Sequence, residues 1–117
     1  MNSVTIWHNQ RCSKSRDAME ILKENNCETE VIKYLETSPD EAQIKTILKM
    51  LGITPRELMR TKEELYKELD LKYVTDDESL IKAMAKNPKL IERPILIKNN
   101  KAIIGRPTSI IADFLKA

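Results

Sequence analysis

The stretch Val4-Thr5-Ile6-Trp7-His8-Asn9-Gln10-Arg11-Cys12-Ser13-Lys14-Ser15-Arg16 contains a change of hydrophobic period. Val4 to Trp7 is a short apolar run rich in β-branched residues and reads as a strand. From Ser13 to Asn25, Ala18, Ile21 and Leu22 recur at helical spacing. A cysteine is thereby delivered to the point where a helix begins. There it meets unpaired backbone N–H groups and the positive end of the helix dipole, and both favour the thiolate. Arg11, Lys14 and Arg16 add positive charge, and His8 lies just upstream. A cysteine can be a buried structural residue or a reactive one. The combination of strand, helix start and cations points to a reactive thiol.

Working outward, Glu30 to Tyr34 reads as a second strand carrying Val31 and Ile32, which makes a β-α-β unit with parallel pairing. The middle of the chain is helical. Ser38-Pro39-Asp40-Glu41 and Thr54-Pro55-Arg56-Glu57 both fit a capping box with proline at the first helical position. Ile44, Ile47, Leu48 and Leu51 form one apolar stripe, and Gly52 is placed to end that helix. Leu65, Tyr66 and Leu69 mark a short helix. Thr75-Asp76-Asp77-Glu78 opens another, with Leu80, Ile81 and Met84 inside. Past Pro88, Ile95-Leu96-Ile97 and Ala102-Ile103-Ile104 form a hairpin across Asn99-Asn100, since asparagine tolerates positive φ. Thr108 to Lys116 closes the chain as a helix with Ile110, Ile111, Phe114 and Leu115 facing inward. The order β-α-β, helical insert, β-β-α predicts a thioredoxin-like α/β fold. Its mixed four-stranded sheet is flanked by helices, in one domain over 1–117 with the insert at about 38–88.

Composition bounds the function. Of 117 residues, 41% are hydrophobic and 32% charged, and a net charge of +2 gives no basis for nucleic-acid or membrane binding. The fourteen lysines are scattered along presumed helix faces. The six arginines (Arg11, Arg16, Arg56, Arg60, Arg93 and Arg106) all lie near a proline or near Cys12. Arginine is the preferred donor to tetrahedral oxyanions because its fork engages two oxygens together. Cys12 and Cys27 form no CxxC pair, and with a single histidine a metal site is not expected. No signal peptide or span of roughly 20 apolar residues is visible, so cytoplasmic residence and a reduced Cys12 are expected.

Several of these residues form a specific pattern. His8-Asn9 precedes Cys12 and Ser15-Arg16 follows it. Farther on come Glu57-Leu58-Met59-Arg60, Glu92-Arg93-Pro94-Ile95 and Gly105-Arg106-Pro107. Over nearly its whole length the chain resembles the glutaredoxin-coupled arsenate reductases of bacteria. The resemblance implies that Cys12 is the nucleophile that forms a thiol–arsenate adduct, and that His8 helps keep it ionised. Arg60, Arg93 and Arg106 would hold the oxyanion, with Ser15 and Arg16 in support and Pro94 as the cis-proline opposite the thiol. Glutathione and glutaredoxin would supply two electrons, with no bound cofactor. The residue chemistry agrees in outline. Two thiols must end as a disulfide, yet Ser15 stands where a resolving cysteine would be, and Cys27 lies beyond the helix end, so an outside thiol is required.

Read without the resemblance, Arg60 is either a surface residue completing a helix or a site residue. Arg93 and Arg106 precede prolines, which biases them to extended backbone at loop ends. A lone histidine is commonly structural, and Cys27 reads as an ordinary half-buried residue. Gln10-Arg11 and Ser13-Lys14 depart from the best-known reductases, which have proline and small residues there. The loop resembles an arsenate-reductase-like branch, and its extra cations should raise anion affinity or select a different substrate. Two other classes compete. Regulators that dock on RNA polymerase share the fold and resemble Arg60-Thr61-Lys62, but sense oxidation through CxxC and carry a tail. Here Ser15, His8 and an end at Ala117 favour the enzyme. The third class is a general glutathione-dependent thiol oxidoreductase acting on mixed disulfides.

Overall fold

A computed structural model describes residues 3–116, so that Met1, Asn2 and Ala117, at the limits of the expected 1–117 domain, lie outside the described residues. The chain divides into two compact units, Met1–Tyr34 with Arg93–Ala117, and Leu35–Glu92.

The first unit contains the sheet. Strands β1 (Ser3–Trp7), β2 (Glu28–Ile32), β3 (Ile95–Lys98) and β4 (Lys101–Ile104) lie in the order β2-β1-β3-β4. β1 pairs parallel with β2, while β3 runs antiparallel to both β1 and β4. Helix α1 (Ser13–Glu24) makes the crossover between β1 and β2, and α6 (Ser109–Lys116) follows β4. Val4 and Ile6 of β1, Leu96 of β3, Ala18 and Leu22 of α1, and Ile111 and Leu115 of α6 form one buried cluster. Both helices therefore cover the same sheet face. Each large aliphatic side chain buried there contributes about 1.5–3 kcal/mol. This is the predicted thioredoxin-like α/β sheet.

Three expectations shift in this unit. β2 begins at Glu28 rather than Glu30, because the parallel register runs from Ser3 opposite Glu28 to Trp7 opposite Ile32. Tyr34 lies past the strand, where its amide turns back to the Ile32 carbonyl at 3.1 Å. Its apolar signal reflects packing, with its ring stacked on Trp7 at 6.3 Å. Ile110 does not face inward. It is 39% exposed, while Ile111 and Leu115, spaced i and i+4, form the buried stripe of α6. The hairpin forms as expected, with positive φ at Asn99 and Asn100.

The second unit contains helices α2 (Glu41–Leu51), α3 (Pro55–Leu58), α4 (Glu64–Glu68) and α5 (Asp77–Lys86), with 3-10 turns at Leu71–Tyr73 and Pro88–Leu90. The capping box of α2 is one window later than Ser38 to Glu41. Asp40 accepts the Gln43 amide at 2.7 Å, and Gln43 Oε1 accepts the Asp40 amide at 2.9 Å. Both windows suit the motif, but a carboxylate complements the helix dipole better than a hydroxyl does. The Thr54–Glu57 box forms as read. Asp76, rather than Thr75, caps α5 by accepting the Ser79 amide at 3.0 Å. Gly52 ends α2 in the left-handed region at φ 68°.

Arg56 is a structural residue of this unit. Its guanidinium donates to the Leu71 carbonyl at 3.1 Å, and also to the Val74 carbonyl and the Tyr66 hydroxyl. Residues 58–60 and 90–92 are zipped together antiparallel. Arg60 N–H donates to Leu90 O at 2.7 Å, Glu92 N–H donates to Leu58 O at 2.8 Å, and a β-bridge joins Met59 to Ile91.

Candidate active site

The sheet register brings three chain segments to one edge of the first unit. Trp7, at the end of β1, is opposite Ile95 at the start of β3, and Ile95 is opposite Ile104 at the end of β4. The residues just beyond those ends therefore share an edge: the loop from His8 to Cys12, the turn at Arg93-Pro94, and the turn at Gly105-Arg106-Pro107. Pro94 O accepts the Gly105 amide at 2.8 Å, which fixes the last two segments to each other. Gly105 is required by space there. A Cβ would lie 3.0 Å from both Ile111 Cδ1 and Leu96 Cδ1, and 3.1 Å from Pro94 Cγ. The Arg93–Pro94 and Arg106–Pro107 peptides are both cis.

The cysteine loop is organised by Asn9, which sequence reasoning used only as a family landmark. Its side-chain oxygen accepts the Arg11 amide at 3.0 Å and its carbonyl accepts the Cys12 amide at 3.0 Å. A turn results that ends at the N-cap of α1. Cys12 occupies that cap with extended backbone, and the Arg16 amide donates to the Cys12 carbonyl at 3.0 Å. Asparagine three residues before a helix N-cap is the signal that could have identified this turn. Arg16, exposed, donates through Nη1 to the Gln10 carbonyl at 3.2 Å and so braces the loop from the helix side.

Ser15 ties the loop to the helix. It is fully buried, its Oγ lies 2.7 Å from His8 Nδ1, and it accepts the Asn9 amide at 3.0 Å. The direction of the Ser15–His8 hydrogen bond follows the histidine tautomer, since the hydroxyl keeps both a proton and a second lone pair after accepting from Asn9. Burial, and secondarily the charge of Lys33, hold the His8 pKa below its ordinary value. A neutral ring contributes no positive charge to a thiolate. The groups that hold the Cys12 thiol down are the Ser15 and Lys14 amides and Arg93.

Cys12 is 8% exposed. Burial pushes its pKa up, but the Ser15 amide, the Arg93 charge, the Lys14 amide and a hydrogen bond from Arg93 together outweigh burial and hold the thiol below its ordinary value. Arg93 is half-buried and is therefore screened less than a surface cation. Arg106 emerges exposed at the same edge, and Arg11 and Lys14 are exposed on the loop itself. Arg60 belongs to the helical unit. There its Nη1 is 3.1 Å from Glu63 Oε2 and its Nε is 3.9 Å from Glu92 Oε1. Cys27 is half-buried and packs against the core cluster. Among the described residues no group of three or more His, Cys, Asp or Glu side chains is arranged to hold a metal ion. Among the described residues no helix is long and apolar enough to cross a membrane.

Residues 7–114 match the ArsC family. The chain is 53% identical over 114 residues to the uncharacterized protein YfgD of Escherichia coli K12, covering 96% of each. It is 47% identical over 109 residues to the arsenate reductase of Neisseria meningitidis serogroup A, covering 92% of this chain and 93% of that relative. The solved structure of an arsenate reductase from Vibrio cholerae is similar with a TM-score of 0.91 at 47% identity, covering 95% of this chain and 96% of that one. The matched span takes in the cysteine loop and both Arg-Pro turns that the sheet gathers at one edge. On the family match and on these full-length relatives, the chain belongs to the ArsC family.

Proposed function

We propose that this protein reduces arsenate, or a tetrahedral oxyanion of similar size, at Cys12, with glutathione and glutaredoxin as the source of electrons. The observation that carries the reading is the thiol at the N-cap of α1, held below its ordinary pKa beside Arg93. Relatives named arsenate reductase support the oxyanion. The absence of a second cysteine in the loop supports an outside thiol.

The Cys12 thiolate attacks arsenic(V), an As–O bond breaks, and the departing oxygen leaves as water after protonation. A glutathione thiol displaces a second oxygen in the same way. A glutaredoxin thiolate then attacks the glutathione sulfur. The electron pair of the breaking S–As bond stays on arsenic, which becomes arsenic(III), and the two outside thiols leave as a mixed disulfide. Water cleaves the Cys12–As bond, releasing arsenite and the thiol. Arg93 and Arg106 bind and neutralise the oxyanion through the first steps. Arg60 is assigned to the oxyanion by the sequence resemblance. Ser15, Arg16 and Pro94 hold the loop and turn, and dependence on glutathione fits cytoplasmic residence.

Arsenite formation by the purified protein tests the reading. Turnover is expected with arsenate, glutathione and glutaredoxin together, and little with thioredoxin in their place. Turnover with thioredoxin alone would reassign the reductant. No arsenite under either condition, with mixed disulfides reduced instead, would replace the oxyanion reading with the general oxidoreductase.

A further inference from the structure

Three cations belong to the loop and first turn around Cys12, and the fold employs one of them. Arg16 donates to the Gln10 carbonyl at 3.2 Å and braces the loop. The Arg11 guanidinium and the Lys14 ammonium are exposed, and neither has a hydrogen bond or ion pair among the described residues. Asp17, three residues beyond Lys14 and also exposed, is not paired with it. Cations in the first turn of a helix oppose its dipole, and the first turn of α1 holds no acidic residue to offset them. Helices α2, α3 and α5 each begin with at least one. Lys14 thus weakens the helix it opens and makes no polar contact that compensates. A local rule broken without structural return marks a place where function makes the demand.

Exposed charges act chiefly on the encounter with a charged reactant. The reaction requires an outside thiol, and glutathione is a tripeptide with a carboxylate at each end and its sulfur between them. Arg11 precedes Cys12 by one residue and Lys14 follows it by two, so a cation stands on either side of the thiol along the chain. We infer that Arg11 and Lys14 are specificity-determining residues for the outside thiol, pairing with the carboxylates of glutathione as its sulfur approaches Cys12 or the arsenic held there. This pairing presupposes glutathione as the reductant proposed above. It draws only on the cysteine loop, and it leaves Arg93 and Arg106 to the oxyanion.

Thiol–disulfide exchange at Cys12 tests the pairing without arsenate, in a Cys27→Ser background so that one thiol reacts. The Cys12 thiolate attacks one sulfur of a small disulfide, the S–S bond breaks, and the other half departs as a thiolate with the electron pair. Glutathione disulfide, hydroxyethyl disulfide and cystamine supply an anionic, a neutral and a cationic partner. Each rate is divided by that of the neutral disulfide, which cancels any change in the thiol itself. Arg11→Gln and Lys14→Gln are each expected to lower the glutathione ratio by about two- to fivefold, the range of an exposed ion pair, and to raise the cystamine ratio. The losses should multiply in the double variant and shrink at high ionic strength, and Arg11→Lys should restore most of the ratio. A double variant with the wild-type glutathione ratio overturns the inference, as does a loss that salt leaves in place. If wild-type Cys12 exchanges with none of the three while an uncharged alkylating reagent still modifies it, the glutathione reading itself fails.

Discussion

Replacing Ser15 by alanine removes one oxygen atom and leaves the backbone free to stay where it is. Two partners lose their bond: His8 Nδ1 at 2.7 Å, in a buried pair, and the Asn9 amide at 3.0 Å, in a partly buried one. An unsatisfied buried group costs about 1–3 kcal/mol. The Asn9 amide can recover part of that from solvent, so the expected destabilisation is about 2–4 kcal/mol, measured by urea unfolding at constant m. The effect on the thiol is separate. The Ser15 and Lys14 amides both help hold the Cys12 pKa down, and they do so only while the first turn of α1 stays fixed against the loop. Ser15→Ala should therefore move the inflection of Cys12 alkylation against pH upward, toward the ordinary thiol value of about 8.5. A merely structural serine would lower stability and leave that inflection in place. Ser15→Thr keeps the hydroxyl and should retain the inflection even if its extra methyl costs stability in this fully buried position. Wild-type stability in Ser15→Ala, or a lowered stability with an unmoved inflection, would refute the reasoning.

Cys12→Ser should abolish arsenate-dependent turnover, whereas Cys27→Ser, altering a half-buried residue at the margin of the core, should keep it; turnover assays on both variants, with circular dichroism to check folding, decide the matter. Arg93→Lys retains charge but loses the planar two-oxygen contact, and should lower kcat/KM for arsenate by roughly ten- to a hundredfold. The same variant should raise the alkylation inflection by less than Arg93→Ala does, because charge and hydrogen bond both act on the thiol. The His8 pKa is depressed on folding, so below about pH 6.5 the unfolded chain takes up the proton first. Stability conferred by the neutral ring is then present above that pH and lost as pH falls toward the folded value. His8→Gln should flatten that part of the stability-versus-pH curve, which urea unfolding at several pH values would show.

The fold was readable because its elements announce themselves at several levels at once. The Val4–Trp7 run, the Ala18 and Leu22 spacing and the Asn99-Asn100 turn each agree with the tertiary placement of the segment. The misplacements occur where two local patterns compete and only packing decides. Ser38 and Asp40 both start acceptable capping boxes, and Tyr34 looks like strand until its ring is seen against Trp7. The residue types of the candidate site were legible in the sequence, and their contacts were not. Cys12 at a helix start and arginines beside prolines are sequence features. The hydrogen bond between Ser15 and His8, and the two carboxylates beside Arg60, depend on contacts that no periodicity encodes.

The six arginines show why residue type alone could not assign the site. Arg56 donates to two backbone carbonyls and a tyrosine hydroxyl, neutral acceptors in an element that carries no nucleophile, so it holds the helical unit together. Arg16 braces the cysteine loop through the Gln10 carbonyl. The Arg93 charge lowers the Cys12 pKa, although Arg11 and Arg16 are nearer in sequence. Solvent exposure accounts for the difference, since water screens Arg11 and Arg16 while Arg93 is half-buried. The loop cations Arg11, Lys14 and Arg16 are exposed to water, which weakens their hold on the thiolate. Arg93, delivered from the far end of the chain by the β1–β3 pairing, lowers the Cys12 pKa together with two amides of the helix the cysteine caps.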